Sequence, residues 1–129
     1  MKSRMSGLVV ILVLCATVMI FGQSKDIGGT WSGDTVVPNS PDKDVITLVL
    51  KKAGESFTGT ISDSLGMLNG TPLEKVTFEK DTLSFEFMVA TGSEYIRARM
   101  TLKISGEKLG GSWETEDGTN GQLELARMK

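Results

Sequence analysis

From residue 94 to 104 the chain reads EYIRARMTLKI, and apolar and polar side chains alternate along it. Ile96, Ala98, Met100, Leu102 and Ile104 share one parity; Tyr95, Arg97, Arg99, Thr101 and Lys103 share the other. Successive side chains of a strand point to opposite faces, so the pattern predicts a strand with one buried face and one solvated face. Segments of the same kind lie at 30–37, 45–52, 57–63, 73–79, 82–89, 108–115 and 121–127, and none of this region shows the period of an amphipathic helix. Evenly spaced short strands with turn signals between them predict an all-β domain, an eight-stranded antiparallel up-and-down (meander) barrel, with a sandwich as the other arrangement of the same strands.

The start of the chain has a different pattern. Lys2 and Arg4 are followed by the uncharged run LVVILVLCATVMIF and then by the small polar GQS. This is the layout of a secretory signal, and the run is shorter than the ~20 residues of a membrane-spanning helix. The expectation is a signal peptide at 1–24, a single domain at 25–129, a secreted or periplasmic location, and no stable membrane span once the signal is cleaved. Cys15 is the only cysteine and lies inside the apolar run. Leu14 before it and ATVMIF after it argue against a lipid anchor there, so the domain is expected to have neither disulfide nor thiolate chemistry. Removing Lys2 and Arg4 from fourteen basic residues leaves twelve against sixteen acidic ones, a net charge of −4. Without a basic field, nucleic acid is not an expected partner.

A weak internal repeat supports the meander. LKKAGESFTGTISD from Leu50 aligns without gaps with LKISGEKLGGSWET from Leu102, each a strand, a glycine-centred turn and a strand. Each copy places a glycine, Gly59 or Gly111, inside its second strand, where a strand needs either a bend or a close backbone approach. Connections near Gly54, Lys80 and Gly106 are short, whereas PNSPDKD, SLGMLNGTP, ATGSE and EDGTN are mostly longer. Alternate connections of a meander lie at the same end, so one end is expected to be tightly closed and the other to form a loop-lined mouth.

The two tryptophans each follow a glycine pair, in GGTW and GGSW. Trp31 begins the first strand at the tight end, where the last strand finishes with Arg127 on the face of Leu123 and Leu125. A guanidinium stacked on an indole contributes ~0.5–2 kcal/mol. Trp113 shares a face with Leu109 and Gly111 on a strand running toward the mouth. With Gly29-Thr30-Trp31 on the first strand and Arg127 on the last, the chain resembles the lipocalin-like (calycin) barrels. It is more closely similar to a small β-barrel domain of secreted bacterial proteins that is also found fused to hydrolases. GGTWSGD, FTGTISDS, TPLEKVTFEKDTLSFEF and KLGGSWE carry the likeness over most of 25–129. The resemblance implies a barrel with Gly29, Trp31 and Arg127 at its base, but a fold does not fix a function. The chain departs from larger lipocalins in lacking their extra helix and disulfide. It departs from fatty-acid-binding barrels in ending LELARMK, without the Arg-x-Tyr pair that grips a carboxylate.

Side-chain chemistry narrows the function further. The chain has no histidine, which removes Ser-His-Asp and Cys-His catalysis and the commonest zinc ligand. SDSL at 62–65 has a serine, Ser64, but no base for it, and reads as a strand end. ETEDGTNG at 114–121 lacks the alternating ligands and distal glutamate of a calcium loop and reads as a hairpin turn. Neither metal, cofactor nor enzymatic activity is expected. Tyr95, Arg97, Arg99 and Lys103 form an outward basic stripe, either a docking face or a solvated surface paired with acids such as Glu86. At the mouth, Val37, Ile46, Ile61, Phe87, Val89, Ile96 and Trp113 are expected to wall a shallow pocket, with Met67 and Leu68 on a loop that either caps the core or acts as a lid. A barrel of this size holds at most one small ligand. Two functions follow: binding of a small apolar or amphipathic ligand at the mouth, or a filled-core accessory module that recognises another protein or the cell envelope.

Overall fold

A computed structural model describes residues 26–38 and 40–128; the expected signal peptide and Cys15 lie outside the described residues. The strands are β1 (Gly29–Val36), β2 (Lys43–Ala53), β3 (Ser56–Asp63), β4 (Thr71–Pro72), β5 (Glu74–Glu79), β6 (Thr82–Thr91), β7 (Glu94–Ser105), β8 (Lys108–Thr115) and β9 (Asn120–Arg127). They form one antiparallel sheet in the order β4-β3-β2-β1-β9-β8-β7-β6-β5, and the described residues contain no helix. Every pairing but one joins chain neighbours; the exception, β1 with β9, brings the two ends of the domain side by side. The sheet curls into a nearly closed barrel.

The expected count of eight strands is corrected to nine. The segment expected as one strand at 73–79 is preceded by the separate β4, which pairs with β3, whereas β5 pairs with β6. Between them Leu73 donates its amide to the Gly59 carbonyl at 3.1 Å, so the chain crosses from one edge of the sheet to the other within a few residues. Pro72 has no amide to extend the first ladder. Lys75, at a φ of 50°, sits where the register of the second ladder shifts between Glu74 and Thr77. β4 falls within the SLGMLNGTP stretch expected as a connection, and its two residues are too few to display an alternation. Phe57 of β3 and Phe78 of β5 close the seam edge-to-face, with ring centroids 5.9 Å apart and planes at 79°.

The inward parity forms the core. Leu48 and Leu50 of β2, Phe85 of β6, Met100 and Leu102 of β7, and Leu125 of β9 are all buried, while the intervening positions are mostly polar. The hairpins β2–β3 and β7–β8 repeat one another in three dimensions as in sequence. A side chain at Gly59 would place its Cβ 2.0 Å from the Val49 carbonyl oxygen, and one at Gly111 1.9 Å from that of Thr101. These are matching positions in the two copies. At both, the curved backbones approach too closely for any side chain, as the strand-interior glycines predict.

The two ends differ as expected. Turns at 54–55, 80–81 and 106–107 close one end, and the connections at 37–42, 64–70 and 116–119 lie at the other. The ATGSE connection is tighter than expected: β6 and β7 are joined by Gly92 and Ser93 alone, with Gly92 at a φ of 73°. Glycine adopts that left-handed backbone without steric cost. At the closed end Trp31 is fully buried, its indole nitrogen donates to the Ile27 carbonyl at 3.0 Å, and the Arg127 guanidinium lies 4.3 Å from the ring centre. Arg127 also donates to the carbonyls of Gly28 and Asp26 and pairs with Glu107 at 2.6 Å. Gly29, at a φ of 129°, lies directly beneath this guanidinium. The base is sealed from both termini of the domain, and Ile27, which the strand pattern does not reach, is part of the plug.

Candidate functional site

The upper half of the barrel is not filled. A cavity of about 240 Å³ opens between the mouth connections, with Ile46, Phe87, Val89, Ala98 and Met100 in its apolar wall. Of the residues expected at the mouth, Val37, Ile46, Met67, Leu68, Phe87, Val89, Ile96 and Trp113 line it. Ile61 does not; it is fully buried in the core below. Ile61 and Trp113 occupy matching positions in the two repeated hairpins, so one copy fills the interior with an aliphatic side chain while the other presents an indole to the cavity.

Trp113 is oriented by its neighbours. It lies opposite Gly121 on β9, where a Cβ would come within 2.7 Å of the indole, so the ring occupies the space over that glycine. Its indole nitrogen donates to Thr35 Oγ1 at 2.9 Å, and the Thr35 hydroxyl donates onward to the Gln122 carbonyl at 2.7 Å. The ring is fixed by a polar chain across β8, β1 and β9.

A second polar cluster supports the loop at 64–70. Asp44 is 2% exposed, and its Oδ1 accepts from the Ser64 amide at 3.1 Å, the Ser64 hydroxyl at 3.3 Å and the Leu65 amide at 3.3 Å. Asp63 Oδ1 accepts from the Leu68 amide at 2.8 Å. Burial first, then the hydrogen bond and charge of Asp63, push the Asp44 carboxyl up to about 6, against the pull of the Leu65 and Ser64 amides. Asp63 Oδ2 is buried without a hydrogen-bond donor. The hydrogen bond between the two carboxyls requires a proton, so they pair when Asp44 is protonated. The loop is tied to both sides of the seam, since Ser64 exchanges bonds with Val45 of β2 and the Met67 carbonyl accepts from Ala90 of β6 at 3.2 Å. Leu68 is buried and Met67 packs on the core, so the loop roofs one side of the cavity. Ser64, whose hydroxyl is engaged by Asp44 and the Val45 amide, is an anchor of this loop.

The described chain is similar to the structure of a redesigned beta barrel, mFAP1, bound to DFHBI. The TM-score is 0.60 over 78% of this chain and 94% of that one, at 16% sequence identity. At that identity the likeness shows the fold alone. No family model and no curated protein matches the chain.

The basic stripe is largely compensated. Arg97 lies 2.6 Å from Glu74 and 3.2 Å from Glu86, and Arg99 lies 3.3 Å from the other oxygen of Glu86. The hydrogen bond and charge of Glu74 raise the Arg97 pKa above its ordinary value. Burial pushes Glu86 up, but Lys75, Arg99 and Arg97 together outweigh it and hold the carboxyl below the usual range. Tyr95 remains exposed and Lys103 faces outward beside Thr82 and Gly110.

Several wall residues escaped the sequence reading: Thr35, Asp44, Thr91, Thr115, Asp117 and Thr119. For two of them a signal was present. Asp44 shares the inward parity of Ile46, Leu48 and Leu50, and Thr35 that of Trp31. A charge on a core parity marks either a strand end or a polar site, and here it marks both. The ETEDGTN segment is a hairpin turn in which the Thr115 amide donates to the Thr119 carbonyl at 2.8 Å and Asp117 Oδ1 accepts from the Thr119 amide at 3.1 Å.

Proposed function

We propose that this domain is a non-enzymatic, exported binding protein of the lipocalin-like kind, which takes one small apolar or amphipathic molecule into the cavity at its open end. The observation that carries this reading is the cavity itself: about 240 Å³ of space with a mainly apolar wall, roofed by Met67 and Leu68 and backed by an indole held in place by Thr35. That volume lies below the ~300–1,000 Å³ of pockets for drug-sized ligands, which points to a small occupant or to one that leaves a polar end at the mouth. Two further observations support the reading. The structural neighbour was solved with a small molecule, DFHBI, bound to its barrel. The closed end is sealed by Trp31 and Arg127, leaving the mouth as the route in. Export rests on the charged, apolar and small-residue layout of the first twenty-four residues.

Native mass spectrometry of the purified protein before and after incubation with an envelope lipid extract tests this. A discrete one-to-one adduct is expected. The same ligand is expected to change tryptophan fluorescence, and Trp113→Phe to remove most of that change while Trp31→Phe leaves it. An unchanged apo mass under both conditions would count against a binding cavity and in favour of an accessory module. For such a module, Arg97→Glu with Arg99→Glu is the variant to test for loss of a protein partner.

A further inference from the structure

We propose that the cavity selects small apolar molecules bearing a hydrogen-bond donor or a positive charge, primary amines above all, and discriminates against carboxylates. This rests on the binding function proposed above and adds the chemistry of the ligand's polar end. The polar groups in the wall dictate it.

The side chains in the wall that own a hydrogen to donate are Thr35, Thr91, Trp113, Thr115 and Thr119. Each is already engaged. Trp113 donates to Thr35, Thr35 to the Gln122 carbonyl, and Thr91 to the Glu94 carbonyl at 3.4 Å. The Thr115 and Thr119 hydroxyls both bond to the Asp117 carboxylate. What these groups leave free are lone pairs. The ionisable side chains of the wall are Asp44 and Asp117, and no lysine or arginine lines the cavity among the described residues. Arg97 and Arg99, on the neighbouring β7, are turned outward to Glu74 and Glu86.

Asp117 supplies the charge at the rim. The Thr115 hydroxyl, followed by the Thr119 amide and hydroxyl, holds its carboxyl below the usual range, so it stays ionised at neutral pH. Asp44 lies deeper and is already engaged, by the loop amides and by Asp63, so the rim carboxylate is the group left to meet a ligand. A ligand carboxylate entering this space would lose its water and meet no side-chain donor left free among the described wall residues, which leaves its charge poorly compensated. An ammonium or hydroxyl finds the remaining lone pairs of the wall hydroxyls and of the Asp117 carboxylate, and with an ammonium the bond is charge-assisted. The wall therefore rejects one headgroup and welcomes the other, which is how a polar site discriminates between ligands of equal apolar bulk.

Calorimetric titration at pH 7.5 with octylamine, octanol and octanoate, which share one alkyl chain, tests the proposal. The amine is expected to bind at least about tenfold more tightly than octanoate, with the alcohol between them. Asp117→Asn keeps the oxygen that Thr115 and Thr119 bond to and removes the charge, and is expected to erase most of the amine preference. Glu55→Gln makes the same charge change at an exposed turn of the closed end and is expected to leave it intact. Octanoate binding as tightly as the amine would overturn the proposal while leaving a binding cavity in place. So would an equal effect of Glu55→Gln and Asp117→Asn, which would reduce the preference to bulk attraction by an acidic protein. Binding of none of the three probes would sink the cavity function itself, and the proposal with it.

Discussion

Individual glycines in this barrel have different roles, and neighbouring ones can be told apart. At Gly111 an added Cβ would lie 1.9 Å from a backbone oxygen of β7, and neither strand can yield without breaking the ladder between them. At Gly110 the same atom would meet only the end of the Glu124 side chain, 4.0 Å away. Gly111→Ala is therefore expected to lower the urea-unfolding free energy by about 2–3 kcal/mol, as overpacking does. Gly110→Ala should leave it unchanged or raise it by ~0.4–1 kcal/mol, through a less flexible unfolded chain. Equal effects of the two would contradict the close approach. The importance of Gly59 and Gly111 was legible in the sequence, because a glycine inside an alternating strand weakens it unless the backbone bends or is closely approached there. The space under the Trp113 ring at Gly121 was not legible, since nothing in a sequence says which residues face one another across a ladder until the register is known. The arginine at the base was legible for the opposite reason: its partner Trp31 sits at a strand end whose place in a meander follows from connection lengths alone.

Among the elements, the loop at 64–70 is held by backbone bonds to two carboxyl groups, and this makes the roof of the cavity sensitive to pH. Asp44 has its pKa raised to about 6 in the folded protein from the ordinary aspartate value of 3.8. A raised carboxyl binds its proton more tightly when folded than when unfolded. Its stabilising effect is therefore complete below about pH 4 and is lost as the pH rises through about 6. The contribution of this group to stability should fall across that window by an amount of order 1–3 kcal/mol, read as the difference between wild type and an Asp44 variant. Asn at position 44 imitates the protonated acid: its oxygen can accept from Ser64 and Leu65 while its amide donates to Asp63. Asp44→Asn is expected to raise the melting temperature at pH 7.5, to leave it nearly unchanged at pH 4.5, and to flatten the profile between. Asp44→Ala, which removes the acceptor for the loop amides, should destabilise at both pH values. The same pH dependence in wild type and Asp44→Asn between pH 4 and 7 would refute the raised pKa of Asp44. The place of Met67 and Leu68 at the mouth was legible in the sequence, whereas the choice between a cap on the core and a cover over a ligand was not. Both carboxyls sit at strand ends, one just before and one within the expected strands, and polar residues are ordinary there. Only the packing of β2 against β3 turns them into a buried pair.

At the scale of the whole molecule, the barrel has a seam, and the seam is the part of the architecture that the sequence pattern conceals. Periodicity reports which side of a strand is buried, so it delivered an all-β domain and both faces of its strands, and left barrel and sandwich open. It carries no information about the strand's hydrogen-bonding partner, and the two residues of β4 are too few to show any alternation, so they read as the end of the SLGMLNGTP connection. The consequence is an uneven distribution of stability. β5 has a ladder on one side only, to β6, with a register shift inside it, whereas β8 is paired along its length on both sides. Across the gap the barrel relies on the Phe57 and Phe78 rings and on the Ser56 hydroxyl to the Val76 carbonyl at 3.5 Å. Phe78→Ala removes the ring contact from a partly buried site, and a loss of about 1–3 kcal/mol is expected, less than for a fully buried phenylalanine. Its spatial signature is more telling than its size. Native-state hydrogen exchange should show the amides of β5 and of the 64–70 loop losing protection in the variant, while those of β1, β8 and β9 keep most of theirs, because a seam opens locally before the sheet unfolds. The cavity roof would open with it, since Met67 is bonded to Ala90 of β6 on the far side of the gap. Uniform loss of protection through all the strands would mean instead that the barrel behaves as one cooperative unit, in which the break at Leu73 is no weaker than the ladders around it.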